Sequence, residues 1–208
     1  MGVRVRQHVN PLSRHFWEPV PLPDWQSIYA QLHQPLHIDI GSARGVFLLK
    51  MAQQQPQWNF LGLEIRRSLV DYANQQKTAY GLTNLHFLFA QVNAHLPAIL
   101  ESLPTGVLQR VTIQFPDPWF KRKQRKRRIV KPELVAVIAQ YLQPGGEVFL
   151  QSDVQEVALE MVEFFRQQPA FVLVGEHLPD NPLGIPTERE LSVLRRGLPV
   201  YRFLFQRR

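Results

Sequence analysis

The 208-residue sequence contains no cysteine and no long uninterrupted apolar segment. The absence of cysteine excludes disulfide bonds, thiolate metal sites and cysteine nucleophiles. Every candidate apolar run is broken by charge or proline, so we expect no helix that spans a bilayer. The N-terminal segment MGVRVRQHVNPLSRHF has basic residues but no apolar core, which argues against a secretory signal. The simplest expectation is a cytoplasmic protein.

The sequence also lacks a pattern typical of metal ligands. Its seven histidines are scattered and show none of the short spacings that metal sites use. His37 and His86 fall within predicted strands, and we interpret them as structural residues. We therefore expect no metal.

Positive charge is concentrated in one short stretch, residues 121–128, which we call the basic segment. It holds seven of the 24 lysines and arginines and no acidic residue. The other basic residues equal the acidic residues in number, at 17 each, so the net charge of +7 comes from this segment. A solvated charged face and a nuclear localisation signal are the alternatives. The density of charge, and its position between two predicted elements, favour binding of nucleic acid.

Apolar periodicity predicts strands that alternate with helices. Residues 1–35 are rich in proline and arginine, and we expect them to form an extended or loosely packed basic arm. Residues 36–208 then form one domain, with a mainly parallel, doubly wound α/β sheet. The strands 171–175 and 200–206 are predicted to pair as a C-terminal antiparallel hairpin. The other predicted strands are 36–40, 58–65, 85–90, 110–115 and 147–151, and the predicted helices are 46–54, 67–80, 95–103, 132–142 and 154–168.

Polar residues recur where the predicted parallel strands end. Doubly wound sheets bind ligands at this edge. Turn or helix capping explains any one of these residues but explains the whole series poorly. The residues are Asp39 with Gly41, Glu64, Asn93, Asp117, and Ser152 with Asp153.

The turn after the first strand, GSARG, is a degenerate form of a nucleotide-binding glycine loop. Glu64 lies about twenty residues beyond it, where a carboxylate can accept both hydroxyls of an adenosine ribose. Both NAD and S-adenosylmethionine carry that ribose. Dinucleotide binding needs backbone amides that hold a pyrophosphate at the start of the helix. Here Asp39 lies just before the loop, with Arg44 inside it, and its carboxylate could bind a cationic amine instead. The pattern therefore favours S-adenosylmethionine.

The stretch FPDPW, followed by a lysine and the KRR of the basic segment, is the most specific motif of the chain. DIG, GLEIR, AQVNAHLP and TERE accompany it. In this order and context, the motifs resemble those of the bacterial tRNA (guanine-N7-)-methyltransferases, the TrmB family. The resemblance runs from about His37 to the C-terminus. It implies a Rossmann-like class I S-adenosylmethionine-dependent methyltransferase, which transfers a methyl group to N7 of a guanine in the tRNA variable loop.

The resemblance also implies roles for individual residues. Two positions differ from the family pattern, since Asp39 stands where glutamate is usual and Arg189 where an aromatic residue is common. The S-adenosylmethionine site would contain Asp39, Gly41, Glu64, Asn93 and Asp117, and Asp117 would also be catalytic. The substrate guanosine would contact Lys121, Asp153, Thr187, Glu188, Arg189 and Glu190. The RNA would contact Lys123, Gln124, Arg125, Lys126, Arg127 and Arg128.

Methylation at guanine N7 requires no general base, because N7 has a free lone pair and no proton to lose. The enzyme must align N7 with the methyl group and exclude water. Asp117 would stabilise the positive charge that develops on the guanine. Trp119 either stacks on the base or packs under the loop, and the sequence favours neither.

Three other interpretations remain open. The PDPW turn resembles the Asp/Asn-Pro-Pro-aromatic motif of methyltransferases that act on exocyclic amines of RNA or DNA bases, although the second consecutive proline is missing. A non-catalytic RNA-binding protein of the same fold is the second, and an NAD-dependent oxidoreductase is the third.

The expected partner is tRNA, with no membrane and no obligate protein partner, and the chain would be a monomer or a homodimer.

Overall fold

The computed structural model describes residues 9–208. The first part of the predicted arm, with Arg4 and Arg6, lies outside the described residues. Within the described part, strands and helices alternate, and 3₁₀ turns occur at Arg14–Phe16 and Arg122–Arg127. The strands are β1 (Leu36–Ile40), β2 (Asn59–Glu64), β3 (Leu85–Phe89), β4 (Leu108–Gln114), β5 (Glu147–Ser152), β6 (Phe171–Glu176) and β7 (Tyr201–Arg207). The helices are α1 (Trp25–Ile28), α2 (Val46–Gln54), α3 (Arg67–Ala79), α4 (Val92–Glu101), α5 (Pro132–Tyr141), α6 (Gln155–Arg166) and α7 (Glu188–Arg195).

The strands form one sheet in the order β3-β2-β1-β4-β5-β7-β6. The first five strands are parallel, and β7 is antiparallel to both β5 and β6. The predicted doubly wound fold with antiparallel C-terminal strands is thus confirmed. A long connection containing α7 joins β6 to β7, in place of a tight hairpin turn. The strand order reverses between β1 and β4, so a crevice opens outside their carboxyl ends.

Apolar side chains fill both faces of the sheet. One core cluster includes residues of α4, α5 and α6, and the other includes residues of α2 and α3. Strands β1 and β2 are buried along their whole length. Burial on both faces explains why these strands consist of nearly continuous apolar residues, as is typical of parallel sheets.

The description of residues 1–35 as loosely packed is wrong for the part that the structure describes. Phe16, Trp25 and Tyr29 are buried. The indole of Trp25 donates a hydrogen bond to Ser102 Oγ (2.9 Å), and the Tyr29 hydroxyl donates to the Phe60 carbonyl (3.0 Å). These aromatic anchors hold the segment on the domain. The boundary at residue 35 stays a prediction.

Two helices near the crevice differ from the sequence prediction. Helix α4 begins at Val92, three residues before the predicted start, because the Gln91 side chain caps it by accepting a hydrogen bond from the Asn93 amide (2.6 Å). Helix α7 was not predicted at all. It begins after Thr187 with a complete capping box in which Thr187 and Glu190 bond to each other's backbone amides. The TERE motif therefore contained a helix-start signal.

Candidate active site

A pocket lies at the carboxyl ends of β1, β2 and β4, and we call it the strand-end pocket. Four of the five residues predicted to hold the methyl donor line it: Gly41, Glu64, Asn93 and Asp117. The fold thus brings together residues that are up to 76 positions apart in the sequence. Gly41 has a positive φ of 85° at the turn after β1, a conformation that favours glycine.

Glu64 is the most constrained acid of the strand-end pocket, with only 3% of the residue exposed. Its Oε2 accepts hydrogen bonds from the Ala43 amide (2.9 Å) and from Arg66 Nη2 (3.0 Å). Its Oε1 accepts from the Arg66 amide (3.0 Å) and from Arg66 Nε (2.8 Å). The backbone amides orient the carboxylate, and the guanidinium of Arg66, which also lines the pocket, bonds to both of its oxygens. Arg66 was missed by sequence reasoning, although it follows Glu64 directly in GLEIR.

Asn93 presents an acceptor to the same pocket. Its Nδ2 donates a hydrogen bond to the Ile129 carbonyl (3.0 Å), which fixes the side-chain amide. Its Oδ1 is buried and has no hydrogen-bond partner among the described residues. A buried acceptor without a partner is costly, so this oxygen fits a donor group of a ligand, such as an exocyclic amine.

Asp39, the fifth residue predicted to hold the donor, does not line the strand-end pocket; it lines the neighbouring pocket described below and belongs to a buried polar network. Its Oδ1 accepts hydrogen bonds from Thr112 Oγ1 (2.6 Å) and Gln114 Nε2 (3.2 Å). Because the Thr112 hydroxyl donates to Asp39, it accepts from His37 Nε2 (3.0 Å), and burial lowers the pKa of His37 well below its ordinary value. Burial raises the pKa of Asp39 to about 6, against the opposing effect of the Thr112 and Gln114 hydrogen bonds. His37 is fully buried and its Nδ1 has no hydrogen-bond partner among the described residues, so its structural role stays a prediction.

A second pocket adjoins the first, and we call it the α7 pocket because residues at the start of α7 form one wall. Asp117 lines both pockets, as do Gly41, Arg66 and Gln114. Asp117 is exposed at the boundary where the two pockets meet. The residues predicted to contact substrate that line the α7 pocket are Asp153, Thr187, Glu188 and Arg189.

Four charged residues of the α7 pocket form two ion pairs. Arg189 Nη2 donates to Asp153 Oδ2, and Arg44 Nη2 donates to Glu188 Oε1. Arg189, which stands where the family often has an aromatic residue, thus forms an ion pair that spans from α7 to the end of β5. Lys121, also predicted to contact substrate, is exposed and is not among the described residues that line either pocket.

Glu190 has a different environment from the three residues before it. It is 1% exposed, and its Oε1 accepts from Arg202 Nη2 (2.8 Å). Its Oε2 accepts from Asn181 Nδ2 (2.8 Å) and Gln151 Nε2 (3.2 Å). With these bonds and its capping role, the carboxylate anchors α7 to β5 and β7.

Side-chain amides connect this anchor to Asp39. Gln151 Nε2 donates to Gln114 Oε1 (2.7 Å) as well as to Glu190, and Gln114 in turn donates to Asp39. The network therefore crosses three neighbouring strands and joins both pockets. Sequence reasoning missed Gln114 and Gln151. Polar residues in otherwise buried strands were the signal that could have found them.

The basic segment contains the 3₁₀ turn Arg122–Arg127, and its last three residues line the strand-end pocket but not the α7 pocket. Lys123, Arg125 and Lys126 are exposed and Gln124 is half-buried. Arg127 lies over the Trp119 ring, with 4.9 Å from its guanidinium carbon to the ring centroid. Arg128 is only 5% exposed and is surrounded by acidic and carbonyl oxygens. Exposure therefore varies along the segment, and its last residue, Arg128, is buried and bonded to acids.

The two aromatic residues of the PDPWF stretch point to different pockets. Trp119 is half-buried and lines the strand-end pocket. Phe120 is 67% exposed and lines the α7 pocket. Sequence reasoning considered Trp119 and missed Phe120.

The described residues show no helix long and apolar enough to cross a membrane. Across residues 9–208 there is also no group of three or more histidine, aspartate and glutamate side chains arranged to hold a metal ion.

Comparisons with known proteins agree with this fold. Residues 33–203 match a protein family described as "Putative methyltransferase". A tRNA (guanine-N(7)-)-methyltransferase of Nostoc sp. is 59% identical over 99% of this chain and 94% of its own length. One of Synechococcus elongatus is 58% identical over 99% of this chain and 97% of its own length. The solved structure of TrmN from Thermus thermophilus has a TM-score of 0.58 at 16% identity, over 88% of this chain and 48% of that one.

The reversed strand order, the acidic pocket at the strand ends and the antiparallel last strand define a Rossmann-like methyltransferase. S-adenosylmethionine, the predicted cofactor, is the methyl donor of this class. Within the class, the chain belongs to the tRNA (guanine-N(7)-)-methyltransferase family. The resemblance identified from PDPW and the basic segment is thereby confirmed.

Proposed function

We propose that this protein transfers a methyl group from S-adenosylmethionine to N7 of a guanine in the variable loop of tRNA. The observation that carries the proposal is the position of Asp117, which lies where two pockets meet, four residues before the start of the basic segment. One pocket has the groups that suit a nucleoside donor. The other is lined by an exposed aromatic ring, Phe120, and by arginines and acids.

The strand-end pocket would hold the donor. Glu64 would accept hydrogen bonds from the ribose hydroxyls, which requires the Arg66 guanidinium to leave the carboxylate, because four hydrogen bonds already engage its two oxygens. Asn93 Oδ1 would accept from the adenine amine. Asp39 would balance the charge of the amino group at the other end of the donor.

The donor's affinity should depend on the ionisation of Asp39. Because burial raises its pKa to about 6, Asp39 is ionised above this pH and neutral below it. We expect the dissociation constant for S-adenosylmethionine to rise about tenfold between pH 7 and pH 5, as the carboxylate that pairs with the amine is protonated. Calorimetric titration would measure this change. The control Asp39→Asn should bind more weakly and show a flat profile; an equally steep profile in that variant would assign the titration to another group.

The chemistry follows from the positions of the protein groups. The bound donor would supply a methyl group on a sulfonium: the lone pair of N7 would form the new bond to the methyl carbon, the bond from that carbon to sulfur would break, and a neutral thioether would leave while the positive charge moves to the guanine. The pocket walls align the base and exclude water, which lowers the barrier without proton transfer. Asp117 lies at the junction, where its carboxylate would stabilise the positive charge that develops on the guanine.

Phe120 is the better candidate for stacking on the guanine. Its ring is exposed and lines the α7 pocket, whereas Trp119 lines the pocket proposed for the donor and contacts Arg127. Stacking of a base on an aromatic ring contributes about 1–3 kcal/mol. Asp153 and the start of α7 would contact the edges of the base from the opposite wall.

The exposed cations of the basic segment would bind tRNA phosphates. Such contacts fix the position of the RNA and carry no sequence information by themselves. Lys121 and Arg122 are exposed beside Lys123, so the proposed RNA surface includes the start of the segment. A tRNA substrate would place the reaction in the cytoplasm. The oligomeric state, monomer or homodimer, stays a prediction.

Analysis of the product nucleoside tests this function. We expect unmodified tRNA incubated with labelled S-adenosylmethionine to yield N7-methylguanosine, identified by mass spectrometry after digestion. An N-methylated exocyclic amine would favour the rival methyltransferase interpretation. No product despite measurable donor binding would favour a non-catalytic RNA-binding protein.

A further inference from the structure

The buried guanidinium of Arg128 makes three directed hydrogen bonds. Nε donates to the Pro118 carbonyl (2.8 Å), Nη1 donates to Glu160 Oε2 (2.7 Å), and Nη2 donates to Glu156 Oε1 (3.0 Å). Both acids lie on α6, whereas Pro118 is the residue directly after Asp117. Arg128 therefore connects the turn that carries Asp117 to a helix packed in the core.

The turn needs such a connection because its backbone is strained. Phe115 has a φ of 50° and Trp119 a φ of 43°, in the left-handed region that side chains with a Cβ disfavour. Two such residues within five positions persist only when surrounding contacts hold them. The Phe115 amide donates to the Gln151 carbonyl at one end of the turn (2.8 Å), and Arg128 holds the Pro118 carbonyl at the other.

The charge of Arg128 is already compensated. Burial by itself lowers its pKa, but the hydrogen bonds and charges of Glu160 and Glu156 outweigh burial and raise the pKa above its ordinary value, so the group stays charged. A guanidinium enclosed by two carboxylates contributes little field at the surface and has few donors left for a phosphate. Arg122 and Lys123, by contrast, are exposed.

We propose that Arg128 is a positioning residue that holds Asp117 at the junction of the two pockets, and that it does not bind RNA. This inference rests on the proposed function, because it assigns Asp117 the role of stabilising charge on the guanine. It revises the prediction that all of residues 123–128 contact RNA. Catalysis by alignment is sensitive to displacements of about 1 Å, so release of the turn lowers turnover and leaves RNA affinity in place.

Glu160→Gln separates the two roles, because they predict opposite effects. If Arg128 positions the turn, loss of its partner lowers kcat by about 10-fold and leaves KM for tRNA within about 2-fold. If Arg128 binds RNA, removal of a competing carboxylate lowers KM for tRNA and leaves kcat unchanged. The matched control is Glu163→Gln, an exposed acid on the same helix, which should alter neither constant.

Arg128→Lys and Arg128→Gln complete the kinetic test. Lysine keeps the charge but lacks the planar fork, so both variants should lose kcat by about 10- to 100-fold. Full activity of the lysine variant with reduced activity of the glutamine variant would overturn the positioning role. An increase in KM for tRNA with unchanged kcat in both variants would restore the RNA-binding role.

Hydrogen exchange without tRNA distinguishes failure of this inference from failure of the proposed function. The amides of the turn, above all that of Phe115, which is bonded to the Gln151 carbonyl, should exchange faster in Arg128→Lys and Glu160→Gln than in wild type, while the amides of β4 and β5 keep their protection. Unchanged exchange in the turn would overturn the positioning role whatever the substrate is. If wild type methylates no tRNA but the turn exchanges faster, the proposed function fails and the structural role of Arg128 stands.

Discussion

Asp117→Ala is expected to lower kcat for tRNA methylation by about 100- to 1,000-fold, the cost of removing one group that stabilises transition-state charge. Asp117 is exposed where the two pockets meet, so its truncation should leave the fold intact. The measurement is single-turnover transfer of labelled methyl to saturating tRNA, with donor binding determined separately. Because Asp117 also lines the strand-end pocket, a weaker effect on donor affinity is expected beside the loss of rate.

Two comparison variants make this result specific. Asp117→Asn keeps hydrogen-bonding oxygen and size but removes the charge, so it should lose most of the rate if charge stabilisation is the main role. Asp71→Ala removes an exposed carboxylate from α3, away from both pockets, and should keep the wild-type rate. A rate for Asp117→Ala within about threefold of wild type would refute the catalytic assignment.

Neutralising Arg122, Lys123 and Arg125 to glutamine is expected to raise KM for tRNA by about 10- to 100-fold at moderate salt, through lost phosphate contacts. KM for S-adenosylmethionine should stay nearly constant. The three residues are exposed on the basic segment, and the ion pair of Arg125 with Glu156 (2.8 Å) is half-exposed and therefore weak. Initial rates over a series of tRNA concentrations would give both constants.

Salt dependence and a charge-matched control test whether lost phosphate contacts cause the higher KM for tRNA. Each lost phosphate contact should reduce the slope of log affinity against log salt by about 0.7 to 0.9. The control triple variant neutralises Lys77, Arg166 and Arg208 at the opposite edge of the sheet, where α3, α6 and β7 end. If the control raises KM for tRNA as much, net charge and not the basic segment governs binding.

Much of the domain could be predicted because local patterns and tertiary structure agree. The parallel strands are nearly continuous apolar runs, and Pro132 and Pro144 mark the two ends of α5 as expected. Helix α7 was missed because it follows an irregular, proline-rich stretch and has few buried residues. Its capping box is a local signal for the start of a helix, but too few apolar residues follow it for the helix to be predicted.

The candidate site was predicted less completely than the fold. Polar residues at the ends of strands could be found because parallel strands end at one edge of the sheet, and the structure brings Glu64, Asn93 and Asp117 together there. Contacts between distant side chains could not be found in this way. Arg66 on Glu64, Gln114 on Asp39 and Phe120 in the α7 pocket depend on packing geometry that no short pattern encodes.

The sequence by itself determined the class of fold, the family and the location of the positive charge, because strand periodicity, the PDPW motif and the density of lysine and arginine are local properties. Only the tertiary structure decided what each charge does. Arg122 and Arg128 are chemically identical and six residues apart, yet one is exposed and the other is enclosed by α6 and the Pro118 carbonyl. Whether an arginine can reach a phosphate depends on its burial and on the acids around it, which the fold alone sets.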